Sequence, residues 1–400
     1  GSEMCIRDRY APKTWESVSP EHWDLCKYNG EIYLMPEDNY AQWTNHGFAY
    51  RLDWAKEAGL EDGVHSWEDM TTYFKYVCDN KDELGVVTPW DSDGTQFSQM
   101  AGGWISSHSD FVSIDGLAAA AYWGGTKDDL YTIVSPLYTD TDSLVEFAKM
   151  MKEWDEMGVW KTDVLNNTSS DNREDFKLGK TAAEQHHTET WTDLVSKTPE
   201  NVPGAEVGFF WFGEEEKNVT ALNITHGAMA VSYGSENPER ALMVYDLLRN
   251  DAECYDLINY GQKGVQWDVN DEGLRITPES YNSDTDGITT NFWWGRNDLL
   301  EIRDATKDWD KIDVMYKELE DAAIDYPYGK FVANVDDIQS YINNINEVNT
   351  NYMKQIAYGK YTGTAEEIVA EYQQALKDAG MDIVIEELQK QLNEVYGDAE

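Results

Sequence analysis

The chain has 400 residues, enough for two domains or two lobes. Its 31 Lys and Arg stand against 76 Asp and Glu, a net charge of −45, and a surface this negative repels nucleic acid and anionic membranes. With 41% apolar and 13% aromatic residues it can still fill complete cores, so the acidity reads as a solvated face and not as a disordered tail.

No run of about 18 apolar residues occurs, so no membrane-crossing helix is expected. The first 30 residues show no charged start followed by an apolar run, so no secretory leader is read there. Residues 1–9, with Arg7 and Arg9 in an otherwise Arg-poor chain, look like translated adapter sequence joined to a gene fragment. The expectation is a natural chain that starts near Tyr10 and lacks its own N-terminus. The four cysteines, Cys5, Cys26, Cys78 and Cys254, form no CxxC pair and have no histidine neighbours, so they read as structural thiols with no zinc site.

A short helix around Trp23 leads to Gly30–Pro36, which alternates like a strand. A second strand-like piece, Gly47–Tyr50, runs into a helix over Asp53–Ala58 that Gly59 ends. Ser66 and Asp69 come close to a capping box for a helix with Met70, Tyr73, Phe74 and Val77 on its apolar face. Ser143-Leu-Val-Glu146 predicts a capping box opening the next long helix, with Leu144, Phe147, Met151 and Trp154 on one face and Gly158 at its end. A strand is expected over Ala182–His187. Asn237-Pro238 predicts a capped helix start. Asp268–Glu279 has partial calcium-loop spacing, but Glu272 and Arg275 fall at the wrong positions and no helices flank it, so a hairpin is the better reading. Ile338, Ile342, Ile345, Tyr352 and Ile356 stripe a late helix. Thr364-x-x-Glu367 caps the next, and Ile385, Leu388, Leu392 and Val395 carry the last. Strands alternating with capped helices make an α/β protein.

No nucleophile elbow, P-loop, dinucleotide fingerprint or HExxH occurs, and no carboxylate pair stands out. His186 and His187 are adjacent on a strand and should point to opposite faces, so they cannot share a metal there. No cofactor is implied.

Two stretches resemble a known family. Tyr50-Arg-Leu-Asp-Trp54, Ala58-Gly-Leu60 and Ser66-Trp-Glu-Asp69 are similar to the internal motif of family 1 extracellular solute-binding proteins, the capture components of ABC importers. Tyr328–Ile338, Ile342–Asn349 and Tyr352–Gly359 resemble the subgroup with a DUF3502-type C-terminal region. The resemblance implies a two-lobed α/β fold of the periplasmic-binding-protein type II class with a ligand cleft between the lobes. It implies a first lobe of 10–48 and 228–310, incomplete at its N-terminal part and with an unpaired sheet edge, and a second of 49–227 and 311–400.

It further implies a monomeric, membrane-anchored extracellular lipoprotein that captures a solute and delivers it to permease subunits, with no nucleic-acid partner and no catalysis. The 16 tryptophans favour an oligosaccharide, because an indole stacks on the C–H face of a sugar while polar groups hold its hydroxyls. A peptide stays open as the solute. The alternatives from other classes are a secreted polysaccharide-active enzyme and a non-transport adhesin or sensor. The expected ligand residues are Trp43, Asn45 and His46 before the lobe crossing; Trp90, Asp93 and Gln96 in a polar turn; His187, Glu189 and Trp191 after the strand that ends at the family's cleft; and Trp293, Trp294 and Arg296 in a Gly- and Asn-rich segment.

Overall fold

The computed structural model describes residues 9–28, 30–37, 43, 45–117 and 121–397. Most of the adapter-like segment, residues 1–8, lies outside the described residues. The chain divides into two compact units, one of Gly1–Gln42 with Leu222–Lys307 and one of Trp43–Ala221 with Asp308–Glu400.

The larger unit is built around a three-stranded antiparallel sheet. Its strands are β1 (His46–Arg51), β2 (Ala183–His187) and β3 (Val207–Trp211), in the order β2-β1-β3. β1 is central and buried from Gly47 to Arg51, so its alternate side chains enter two different cores. Phe48 and Tyr50 join the larger core with Trp67, Phe74, Trp90 and Trp154, while Ala49 joins Trp191, Phe209 and Trp211 on the other face. Both ladder partners of β1 belong to this unit, which is why the strand lies wholly inside it, whereas the boundary expected from sequence splits it after residue 48.

Helices α1 (Leu52–Glu57), α2 (Trp67–Asp79), α3 (Phe97–His108) and α4 (Thr141–Met157) follow β1. α2 starts where expected: the Asp69 N–H donates to Ser66 Oγ at 3.0 Å. Asp69 does not complete a capping box, since its carboxylate accepts from the His65 N–H instead. α4 departs from the expected start. It begins at Thr141, ahead of the capping box expected at Ser143, and its cap is Asp140, which accepts from the Ser143 N–H at 3.1 Å. Ser143 Oγ is occupied elsewhere, accepting from Trp104 Nε1 at 2.9 Å.

Further along lie α5 (Thr188–Asn201), α6 (Trp309–Ala322), α7 (Gln339–Ala357), α8 (Ala365–Asp378) and α9 (Met381–Tyr396). The last three add Ile342, Ile345, Ile356, Ile368, Tyr372, Leu388 and Leu392 to the larger core, so the C-terminal region is part of this unit's interior. Its tyrosines reach across to loops and helices: Tyr328 Oη donates to Leu130 O at 2.7 Å, and Tyr361 Oη donates to Ala148 O at 2.8 Å.

The smaller unit packs Ala11, Val18, Trp23, Ile32, Met35, Leu242 and Tyr245 into its own core. The strand expected over 30–36 is shorter than its alternation suggests. Only Glu31–Ile32 pairs, with Lys27–Tyr28, and Met35 forms a single bridge to Met229. Asp268–Val269 and Arg275–Ile276 form the expected hairpin. Among the described residues, no helix is long and apolar enough to cross a membrane.

Candidate binding groove

Trp90 is anchored in the core, and the chain leaves it as a polar turn. Asp93 Oδ1 accepts from the Thr95 N–H at 2.9 Å and the Thr95 hydroxyl at 2.6 Å, which closes the turn. Ser92 Oγ is 2.6 Å from Tyr358 Oη, so the end of α7 holds the turn from below. Gln96, the residue before α3, donates from Nε2 to Gln185 O at 3.1 Å and ties the turn to β2. The Asp91 N–H donates to Asn172 Oδ1 at 2.9 Å, and Asn172 Nδ2 donates to the buried Glu184 at 2.5 Å. Arg173 Nε lies 3.2 Å from the same carboxylate. Burial holds the Glu184 carboxyl above its ordinary range, against the opposing pull of Asn172 and Arg173.

Apart from Ser92 and Tyr358, these residues line a groove of about 490 Å³ that also takes in His46, Gln99 and His186. A second concavity of about 390 Å³ shares His46 and Gln99 with it and continues along Asn45, Gly103, Tyr122, Phe212 and Asn218. A Cβ on Gly103 would run into the Phe212 ring, so glycine at this helical position lets the ring lie against α3. Several lining residues carry side-chain atoms that are buried without a protein hydrogen bond: Asn45 Nδ2, Asp91 Oδ1, Gln99 Oε1 and Gln185 Oε1.

Three imidazoles gather at this end of the sheet. Ring centroids are 5.6 Å apart for His46 and His186, 6.1 Å for His46 and His187, and 4.2 Å for His186 and His187. The two neighbours do not point to opposite faces as expected, because the strand ends here and turns directly into α5. His187 Nδ1 accepts from the Thr190 N–H at 3.1 Å and so caps that helix. Burial, and then the charge of a neighbouring imidazole, takes His46 down to about 4 and His186 down to about 3. Burial and then Arg173 lower His187. All three rings are neutral at neutral pH. Gln185 Nε2 donates to His46 Nδ1 at 2.8 Å, which leaves the His46 proton on Nε2.

Of the residues expected from sequence, Asn45, His46, Asp93 and Gln96 line these concavities. The tryptophans largely do not serve as stacking faces. Trp90 borders the groove but is 1% exposed, edge-on to Phe48 and Trp160. Trp191 is 4% exposed and packs on Phe209. Trp43 packs against the same smaller core. Glu189 accepts from the Tyr316 hydroxyl, and His187 is the helix cap already described. In the smaller unit Trp294 stacks on Tyr245, with centroids 5.9 Å apart and planes at 8°. Arg296 pairs with Glu301 at 3.3 Å and Asp298 at 3.4 Å. Trp293 alone among these indoles is open, at 44%. Sequence reasoning named His186 or His187 as a cleft residue, and His186 lines the groove; it missed Gln99, Asn172, Arg173, Glu184 and Gln185. Glu184 and Gln185 lie on the strand expected over Ala182–His187, which was the one signal that could have pointed to any of them.

Residues 327–396 match the DUF3502 family, described as a domain of unknown function. No curated protein matches the chain by sequence. Among solved structures, the N-glycan transport solute binding protein NgtS from Streptococcus pneumoniae is 17% identical, with a TM-score of 0.71 over 99% of this chain and 82% of that one. The same protein in complex with Man1GlcNAc gives 18% identity and a TM-score of 0.62 over 99% and 83%. A solute-binding protein from Bifidobacterium longum infantis, described as HMO-binding and ABC-transporter-associated, gives 12% identity and a TM-score of 0.63 over 99% and 84%. The chain therefore has the α/β fold of the two-lobed extracellular solute-binding proteins and closes with a DUF3502 region.

Proposed function

We propose that this protein is the solute-binding component of an ABC importer, that it works outside the cell, and that its solute is a neutral oligosaccharide held against the groove beside His46. The observation that carries this reading is the chemistry of the groove wall. Amides from Asn45, Gln96, Gln99, Asn172 and Gln185 stand beside neutral imidazoles along its lining. Sugar hydroxyls both donate and accept, so mixed amide and imidazole edges suit them. The likeness to proteins described as N-glycan-transporting and HMO-binding supports the same class of solute. The protein would release the sugar unchanged to a permease.

The test is thermal unfolding with a panel of neutral oligosaccharides, followed by mass spectrometry of the best hit. A solute present at about 100 times its Kd stabilises the fold by about 2.7 kcal/mol. The expected result is a saturable upward shift with the sugar recovered intact. Recovery of cleaved sugar would reassign the protein to the polysaccharide-active enzymes, and a shift with peptides alone would overturn the carbohydrate reading.

A further inference from the structure

Away from the histidine trio, α2, α3 and the loop after β3 bring a different kind of cluster together. Glu68 in the first turn of α2, His108 at the end of α3 and Glu215 each offer one ligand atom, and these atoms lie within 4.8 Å of one another. The imidazole is already oriented. His108 Nδ1 is 2.9 Å from Trp104 O, and because a carbonyl cannot donate, Nδ1 carries the proton and Nε2 the lone pair. The ring also stacks on Trp104, with centroids 3.7 Å apart and planes at 20°. A ring N–H held by a backbone carbonyl is the arrangement that fixes the tautomer of a metal-binding histidine.

The segments that carry the two carboxylates are tied down around it. The Gly213 N–H donates to Ser107 Oγ at 2.9 Å, which fixes the start of the loop to α3. His65 Nδ1 lies 2.5 Å from Glu214 Oε1, which fixes the next residue to the approach of α2. The Glu215 carboxylate comes close to the Trp67 backbone and to Glu68. Glu68 is exposed on the helix that begins there. One imidazole nitrogen and two carboxylates suit a zinc-like ion, whereas calcium and magnesium prefer all-oxygen sets.

We infer that Glu68, His108 and Glu215 bind one divalent transition-metal ion of the zinc type, clamping the loop after β3 to α2 and α3. The test is titration of the chelator-treated full chain with zinc chloride against a chromophoric competitor, with cobalt(II) as a spectroscopic probe. One equivalent should bind, and the cobalt form should show visible bands of a low-coordinate site. His108→Ala and Glu215→Gln should each weaken binding at least about tenfold, the scale on which disturbing a metal site acts. Glu68→Gln should also weaken it, and because it changes an exposed residue it tests the site without threatening the Trp104 stack. His186→Ala should leave zinc affinity unchanged. Failure of the unaltered chain to bind zinc, or loss of binding in His186→Ala with retention in Glu68→Gln and His108→Ala, would overturn the inference.

Discussion

His46 shows how much one position can carry. It starts β1, lines both concavities and accepts from Gln185, and burial takes its imidazole down to about 4. In the unfolded chain a histidine titrates near 6.5. Between these values the unfolded state holds the extra proton, so stability rises with pH and is lost as pH falls from about 6.5 towards 4. A shift of this size corresponds to a loss on the order of 2–3 kcal/mol across that window. His186 and His187 are lowered as well and act in the same direction. Urea unfolding at about pH 7.5 and pH 5 measures the effect, and the comparison with His46→Gln isolates this ring from the other titrating groups. The variant should lose less stability on acidification than the unaltered chain. Equal losses in the two would mean that His46 keeps an ordinary titration in the fold.

At the scale of elements, two similar stretches of sequence met different fates. Thr364-x-x-Glu367 makes both bonds of a capping box: the Glu367 N–H donates to Thr364 Oγ1 at 3.2 Å, and Glu367 accepts from the Thr364 N–H at 2.9 Å. Ser143-x-x-Glu146 reads the same way, but Asp140 stands earlier in the chain and caps first, and the Ser143 hydroxyl serves Trp104, 39 positions away. A local pattern shows that a helix starts nearby; it does not show a rival cap or a distant indole. The short pairing at Glu31–Ile32 has the same cause, since alternation marks a strand-like stretch without supplying its partner. Asp140→Ala should therefore cost about 1 kcal/mol in chemical denaturation, as loss of an N-cap does. A change near zero would show that Ser143 is the cap in solution.

For the whole molecule, the class of fold was legible because its motifs lie on elements that hold the cores, such as Trp54, Trp67 and Tyr358. The site was legible at the polar residues that open β1 and in the polar turn after Trp90. Eleven of the 16 tryptophans are buried, so their abundance reports on core packing more than on stacking faces. Net charge speaks to the solute more directly. At −45 the molecule repels anions at long range, and Arg173, the one Lys or Arg among the described residues lining the groove, already pairs with Glu184. Salt shortens the reach of this field from about 30 Å at 0.01 M to about 3 Å at 1 M. A neutral oligosaccharide should keep its Kd within about twofold between roughly 0.02 M and 0.5 M sodium chloride, since no net charge is transferred. An analogue bearing a uronic acid should bind at least about tenfold more weakly at low salt and recover part of the loss as salt screens the repulsion. Calorimetry on the pair measures both. If the uronate binds more tightly, or if the neutral sugar loses affinity steeply with salt, the groove recognises charge and the solute is not a neutral sugar.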